Sequence, residues 1–141
     1  MKTDFKHSTT LRVRYGETDQ MGYSYYGNYA QYFEVGRVEA LRDLGMSYKS
    51  LEERGIMLPV AHFEVDYKAP ALYDDALIIT THVSELKGPR LIFHYEIHVE
   101  DKRIATASTT LVFVAKETMR PIAPPEDFIK LLENHVKQGN D

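Results

Sequence analysis

The sequence predicts an α+β fold in which an antiparallel five-stranded sheet wraps around one central helix. Three observations lead there. An early segment has apolar residues at the 3 and 4 spacing of a helix, some sixty later residues stay strand-like, and the strand-like runs are joined by connections short enough to demand antiparallel pairing. A helix with one apolar stripe and a sheet with one apolar face can each bury that surface against the other.

Taken in order, Thr9 to Tyr15 alternate, with Leu11, Val13 and Tyr15 on one face and Arg12 and Arg14 on the other, which predicts the first strand. The pattern then breaks. Gly16, Gly22 and Gly27, with Thr18, Asp19, Ser24 and Asn28 among them, read as a loop with special backbone conformations. Asn28 is placed to cap a helix through YAQYFEVGRVEALRDL, whose stripe is Tyr29, Tyr32, Phe33, Gly36, Ala40 and Leu44, and Gly45 is a natural stop. The small residues Gly36 and Ala40, and Ala105 and Ala107 from a strand, allow helix and sheet a close approach.

Ser47 can cap a short second helix, SYKSLEER, closed by Gly55. Four strands follow at Met57 to Tyr67, Ala76 to Leu86, Arg90 to Glu100 and Arg103 to Ala115, with turn signals at Lys87 to Pro89 and Glu100 to Lys102. The third of these has the clearest alternation: Leu91, Phe93, Tyr95, Ile97 and Val99 face one way, Ile92, His94, Glu96, His98 and Glu100 the other. Pro121, Pro124 and Pro125 end the β region, and a terminal amphipathic helix is expected at about residues 124–136 before a fraying tail, QGND. The whole chain, 1–141, reads as one domain with its core at about residues 8–116, and no internal repeat is visible.

Composition narrows the function. Hydrophobic residues at 43% and charged ones at 27% suit a soluble globular chain, and a net charge of -4 without a dense Lys/Arg run argues against nucleic acid as a main partner. The opening MKTDFKHSTT lacks the apolar stretch of a signal peptide, and no run approaches the ~20 apolar residues that cross a bilayer, so a cytoplasmic protein without membrane insertion is expected. The absence of cysteine rules out a disulfide, a thiolate metal site and a Cys nucleophile in this chain. His94 and His98 share a strand face about 13 Å apart, too far to share a metal, and no metal or cofactor is expected.

The segment YGETDQMGYSYYGNYAQYFE concentrates carboxylates, glycines and tyrosines between the first strand and the helix. Thioester hydrolysis without Cys needs a carboxylate or His to attack or to activate water, and donors aimed at the developing oxyanion. Asp19 and the unpaired amides at a helix N-terminus can supply both. Taken alone, an Asp after Thr in such a loop is also the signature of an Asx-turn. Glu17 reads as a solvated loop residue, Glu34 as the i, i+3 partner of Arg37, and Tyr29 and Tyr32 as core. His62 is either a site-lining or an exposed residue.

Tyr15, Glu17-Thr18-Asp19, Gly22, Tyr25-Tyr26, Asn28-Tyr29, Tyr32-Phe33-Glu34 and Arg37, followed by Glu64 to Tyr67, Pro70-Ala71 and Asp74-Asp75, resemble the signature of the hotdog-fold 4-hydroxybenzoyl-CoA thioesterase family from about Leu11 to Val114. The resemblance implies an acyl-CoA thioesterase. It places Asp19 where the family has its catalytic aspartate and the Tyr26 N–H where an amide polarises the thioester carbonyl. It leaves open whether the carboxylate attacks directly or activates water. Ser24 and Tyr26 depart from the residues many relatives carry there, which bears on the acyl group, and Tyr25 and His62 are candidate substrate-binding residues beside Ser24. Lys87 and Arg90 are candidates for the coenzyme A phosphates, because relatives bind the nucleotide near that hairpin. A homo-oligomer, dimer or tetramer, with a shared site is also implied. Two alternatives stay on the same fold. A hydroxyacyl thioester dehydratase or hydratase would rely on a helix-borne His, and no His occurs from Leu11 to Ala61. A non-catalytic acyl-CoA-binding hotdog protein would not need Asp19.

Overall fold

A computed structural model describes residues 1–137; the expected fraying tail, QGND, lies outside them. The five-stranded antiparallel sheet consists of β1 (Lys6–Arg12), β3 (Val60–Tyr67), β4 (Ala76–Lys87), β5 (Arg90–Val99) and β6 (Lys102–Val112), in the order β1-β4-β5-β6-β3. A two-stranded pair, β2 (Ile56–Met57) with β7 (Val114–Ala115), sits beside it. Helices α1 (Tyr29–Leu44), α2 (Tyr48–Glu53) and α3 (Glu126–Glu133) complete the chain.

The stripe read from the sequence is the buried face of α1: Tyr29, Tyr32, Phe33, Gly36, Ala40 and Leu44 are all buried, joined by Arg37 and Leu41. It meets Leu77, Ile79, Val83, Leu91, Phe93, Tyr95 and Ile97 from the inner face of β4 and β5. Gly36 is required there, since a Cβ would stand 2.7 Å from both Ile79 Cγ2 and Thr81 Oγ1. Each buried Leu, Ile or Phe in this layer contributes about 1.5–3 kcal/mol of transfer free energy. Gly45 ends α1 at φ 114°, and the Ser47 hydroxyl accepts the Ser50 N–H to open α2, both as expected.

Four boundaries differ from the sequence reading, each for a local reason. The first strand begins at Lys6 and leaves the sheet after Arg12, and Tyr15 is 79% exposed, not inward, because the chain coils into a 3-10 turn at Tyr15–Glu17. The run from Met57 breaks at Pro59, which has no N–H to give a ladder, and its carbonyl instead accepts the Val112 N–H. The last strand breaks after Val112, dividing β6 from β7. The terminal helix stops at Glu133, because Val136 pairs with Thr3 and the His135 carbonyl takes the Asp4 N–H. Phe128 and Leu132 anchor α3 in the core, Phe128 edge-on to Phe113 at 5.3 Å.

Candidate active site

The predicted loop folds into a tight hairpin. Thr18 bridges Ser24, the Asp19 N–H donates to the Tyr23 carbonyl at 3.0 Å, and the Gly22 N–H returns to the Asp19 carbonyl at 3.0 Å. Gly22 has φ 87°, the left-handed region where an L side chain is strained. Ser24 N–H donates to Ala71 O at 2.7 Å and Tyr23 bridges Leu72, which ties the hairpin to the segment after β3. Asp19 Oδ1 accepts the Met21 N–H at 2.9 Å, so the Asx-turn reading is correct as far as it goes. That bond occupies one carboxylate oxygen and fixes the rotamer of the other.

Beyond the hairpin a 3-10 turn, Tyr26–Asn28, runs directly into α1. Tyr26 is its first residue, so its N–H has no earlier carbonyl within the helix to bond. Among the described residues it donates to no backbone or side-chain acceptor, whereas amides on either side of Tyr26 are engaged: Tyr25 N–H to Glu17 O at 2.8 Å and Asn28 N–H to Tyr25 O at 3.0 Å. Asn28 is not the side-chain cap expected of it. It lies in the helical region, and its Nδ2 donates to Glu17 O at 2.7 Å.

Asp19, Met21, Tyr23, Ser24, Tyr26, Tyr29, Tyr67, Lys68, Ala69 and Pro70 line one cleft of about 570 Å³. Tyr67 and Tyr29 meet edge to face at 5.0 Å, and Tyr67 hydroxyl donates to the Tyr26 carbonyl at 3.2 Å. Burial pushes the Tyr29 phenol up to about 12, helped by the neighbouring Tyr67, so the wall it forms is neutral. A second, more polar depression of about 370 Å³ lies on the outer face of the sheet among Lys6, Glu64, His82, His94 and Glu96, and no predicted site residue lines it.

Of the residues singled out from the sequence, Asp19, Ser24 and Tyr26 come together in the cleft. Tyr25 is half exposed, its ring 4.7 Å from that of Tyr26, outside the cleft lining. His62 lies on the outer face of β3, where it meets Glu64 at 3.5 Å, because strand alternation turns Phe63 toward Phe33 of α1 and His62 away. Lys87 and Arg90 face each other at the tip of the β4–β5 hairpin. Arg90 pairs with Val112 and Tyr67 with Ala105, so about 23 Å of β6 separates them from the cleft of the same chain.

The reading of Glu17 is corrected as well. Glu17 is not a solvated loop residue; its side chain is only 13% exposed. Its Oε1 accepts the Arg14 N–H at 2.8 Å and the Tyr32 hydroxyl at 3.1 Å, and Oε2 accepts the Arg14 guanidinium at 3.1 Å. Burial pushes its carboxyl up, but the Arg14 amide, Arg14 side chain and Tyr32 hydroxyl together hold it below its ordinary value. Tyr32 Oη also lies 2.8 Å from Ser24 Oγ. Tyr32 is core, as expected, yet its hydroxyl is polar machinery. The clue available in the sequence was the i, i+3 pair Arg14 and Glu17, each end of one turn.

Asp19 and Tyr26 share an aromatic cleft beside a five-stranded antiparallel sheet wrapped around one long helix, the architecture of the hotdog fold. Residues 13–132 match the thioesterase-like superfamily, and the chain belongs to it. It is 32% identical to the acyl-CoA thioesterase YbgC of Haemophilus influenzae over 131 residues, 92% of this chain and 96% of that one. The crystal structure of the DHNA-CoA thioesterase from Staphylococcus aureus superposes with a TM-score of 0.87 at 34% identity, covering 92% and 89% of the two chains. A 4-hydroxybenzoyl-CoA thioesterase structure shares the fold, with a TM-score of 0.81 at 22% identity over 91% of this chain and 99% of that one. The protein is an acyl-CoA thioesterase.

Proposed function

We propose that Asp19 supplies the carboxylate and Tyr26 the oxyanion amide of this hydrolysis. The observation that carries the reading is their meeting in one cleft, with the Tyr26 N–H lacking an acceptor among the described residues. The thioester oxygen would lie at that amide, where the helix start favours developing negative charge. Asp19 then either adds to the carbonyl, giving a mixed anhydride that water opens, or takes a proton from the attacking water. In both routes water is consumed, the C–S bond breaks and coenzyme A leaves as the thiol with a free carboxylic acid.

The working unit is proposed to be a homo-oligomer built on β3. This strand is a sheet edge, and Val60, Phe63 and Tyr67 are 47%, 37% and 47% exposed on it. An unpaired edge with apolar side chains invites pairing with a second copy. Antiparallel, two-fold pairing of β3 would bring the hairpin end of one sheet to the Tyr67 end of the other. Lys87 and Arg90 would then serve the coenzyme A phosphates of the neighbour's cleft, not their own. The chain acts as one cytoplasmic domain in this reading; no helix among the described residues is long and apolar enough to cross a membrane.

Thiol release from a panel of aromatic, short branched and long-chain acyl-CoAs tests the reading and names the acyl group. Aromatic acyl groups head the panel, because Tyr23, Tyr29 and Tyr67 offer ring faces and edges. Reversible water loss from a 3-hydroxyacyl thioester without thiol release would contradict it. Light scattering at micromolar concentration is expected to give at least twice the 16.3 kDa chain mass.

A further inference from the structure

We propose that Glu17 is the positioning residue that holds Asp19 and the Tyr26 amide in register, a role that rests on the thioesterase reading of the cleft. Glu17 does not line that cleft. Its backbone carbonyl accepts both the Tyr25 N–H at 2.8 Å and the Asn28 Nδ2 at 2.7 Å, so it grips the chain on either side of Tyr26. The same residue stands two positions before Asp19. Both halves of the chemistry are therefore referred to one peptide group.

The Glu17 side chain fixes that peptide group. Two groups of Arg14 and the Tyr32 hydroxyl hold the carboxylate, and Tyr32 is buried on α1. Because Tyr32 gives its proton to Glu17, Ser24 must donate to Tyr32, and Asn28 Nδ2 lies 3.5 Å from Ser24 Oγ. The donors run in one direction, Asn28 and Ser24 toward Tyr32 and Tyr32 toward the Glu17 charge, which suits mutual strengthening. Arg14 is 79% exposed and neutralises Glu17. Among the described residues Asp19 forms no ion pair, while the turn that carries it is locked to the helix.

The full-length chain is tested as Glu17→Ala, Glu17→Gln and Tyr32→Phe, using the acyl-CoA of the panel that the wild type turns over fastest. Glu17→Ala is expected to lower kcat about 10–100-fold with KM within about threefold, the signature of misplaced reacting groups. Glu17→Gln keeps an oxygen for the Arg14 N–H and the Tyr32 hydroxyl and is expected to regain most of that loss. Amide hydrogen exchange at Tyr25 reads the geometry without turnover. It should remain slow in wild type and in Asp19→Asn, and speed up at least about tenfold in Glu17→Ala and to a smaller extent in Tyr32→Phe. If Glu17→Ala does not fold, Tyr32→Phe, which removes a single oxygen, carries the same two readings. Wild-type kcat in a folded Glu17→Ala, or unchanged Tyr25 exchange in it or in its Tyr32→Phe substitute, would overturn the proposal. An active Asp19→Asn together with a loosened Tyr25 amide in Glu17→Ala would instead sink the catalytic assignment and keep the positioning one.

Discussion

The two ends of the segment from Tyr15 to Leu44 are held by opposite means. The Tyr15–Asn28 loop buries no large apolar side chain and is fixed by directed polar bonds converging on Glu17, Asp19 and Ala71. The middle of α1, a turn or two later, is fixed by apolar contact and by a glycine pressed against Ile79 and Thr81. The contrast teaches that chemistry and stability are separable here: changes in the loop should alter turnover at little cost in stability, and changes under α1 the reverse.

The largest effect expected from breaking this contrast is at Asp19. Asp19→Asn should lower kcat by about 10²–10⁴-fold, the usual worth of a positioned base, with an unchanged thermal midpoint. On the other side, Gly36→Val should cost about 2–3 kcal/mol from overpacking against β4, read as a lower urea midpoint, with kcat of the folded fraction kept. Alkali should sharpen the same distinction. Burial pushes the Tyr95 phenol up to about 12, against a value near 10 in the unfolded chain. The unfolded chain therefore loses that proton first as pH rises from 10 to 12, and stability should fall across that window by on the order of 2 kcal/mol for this residue. Urea midpoints at pH 8 to 12 check it, and Tyr95→Phe should flatten the slope in part, since Tyr29 and Tyr32 are pushed up to about 12 as well. The smallest effect is expected at the exposed pair Arg54–Asp127, bonded at 2.9 and 3.1 Å between the end of α2 and α3, where solvent screening should leave the urea midpoint of Arg54→Ala nearly at its wild-type value and kcat unchanged.

The same contrast explains what was legible in the sequence. The α1 stripe and the β5 alternation are periodic, so burial follows from spacing alone, and every residue of the predicted stripe is buried. Boundaries were less legible where one bond decides them, as at Pro59 or where Val136 turns back to Thr3. In the loop, the carboxylate and the turn could be read, and the Arg14–Glu17 spacing hinted at a pair, but the burial of Glu17 could not be read, because it depends on Tyr32 arriving from α1 fifteen residues later. His62 could not be placed either, since alternation fixes a face only once the inward residue, Phe63, is known. Lys87 and Arg90 show a third limit: a residue's distance from the cleft depends on strand register, which composition at the hairpin does not reveal.

The most direct test of the account measures Asp19→Asn and wild type side by side, with thiol release for turnover and isothermal titration for acyl-CoA binding. The account predicts that the variant binds within about threefold of wild type and loses at least about 100-fold in release, the lower bound for a positioned acid or base. Release at the wild-type rate from a folded Asp19→Asn would contradict it.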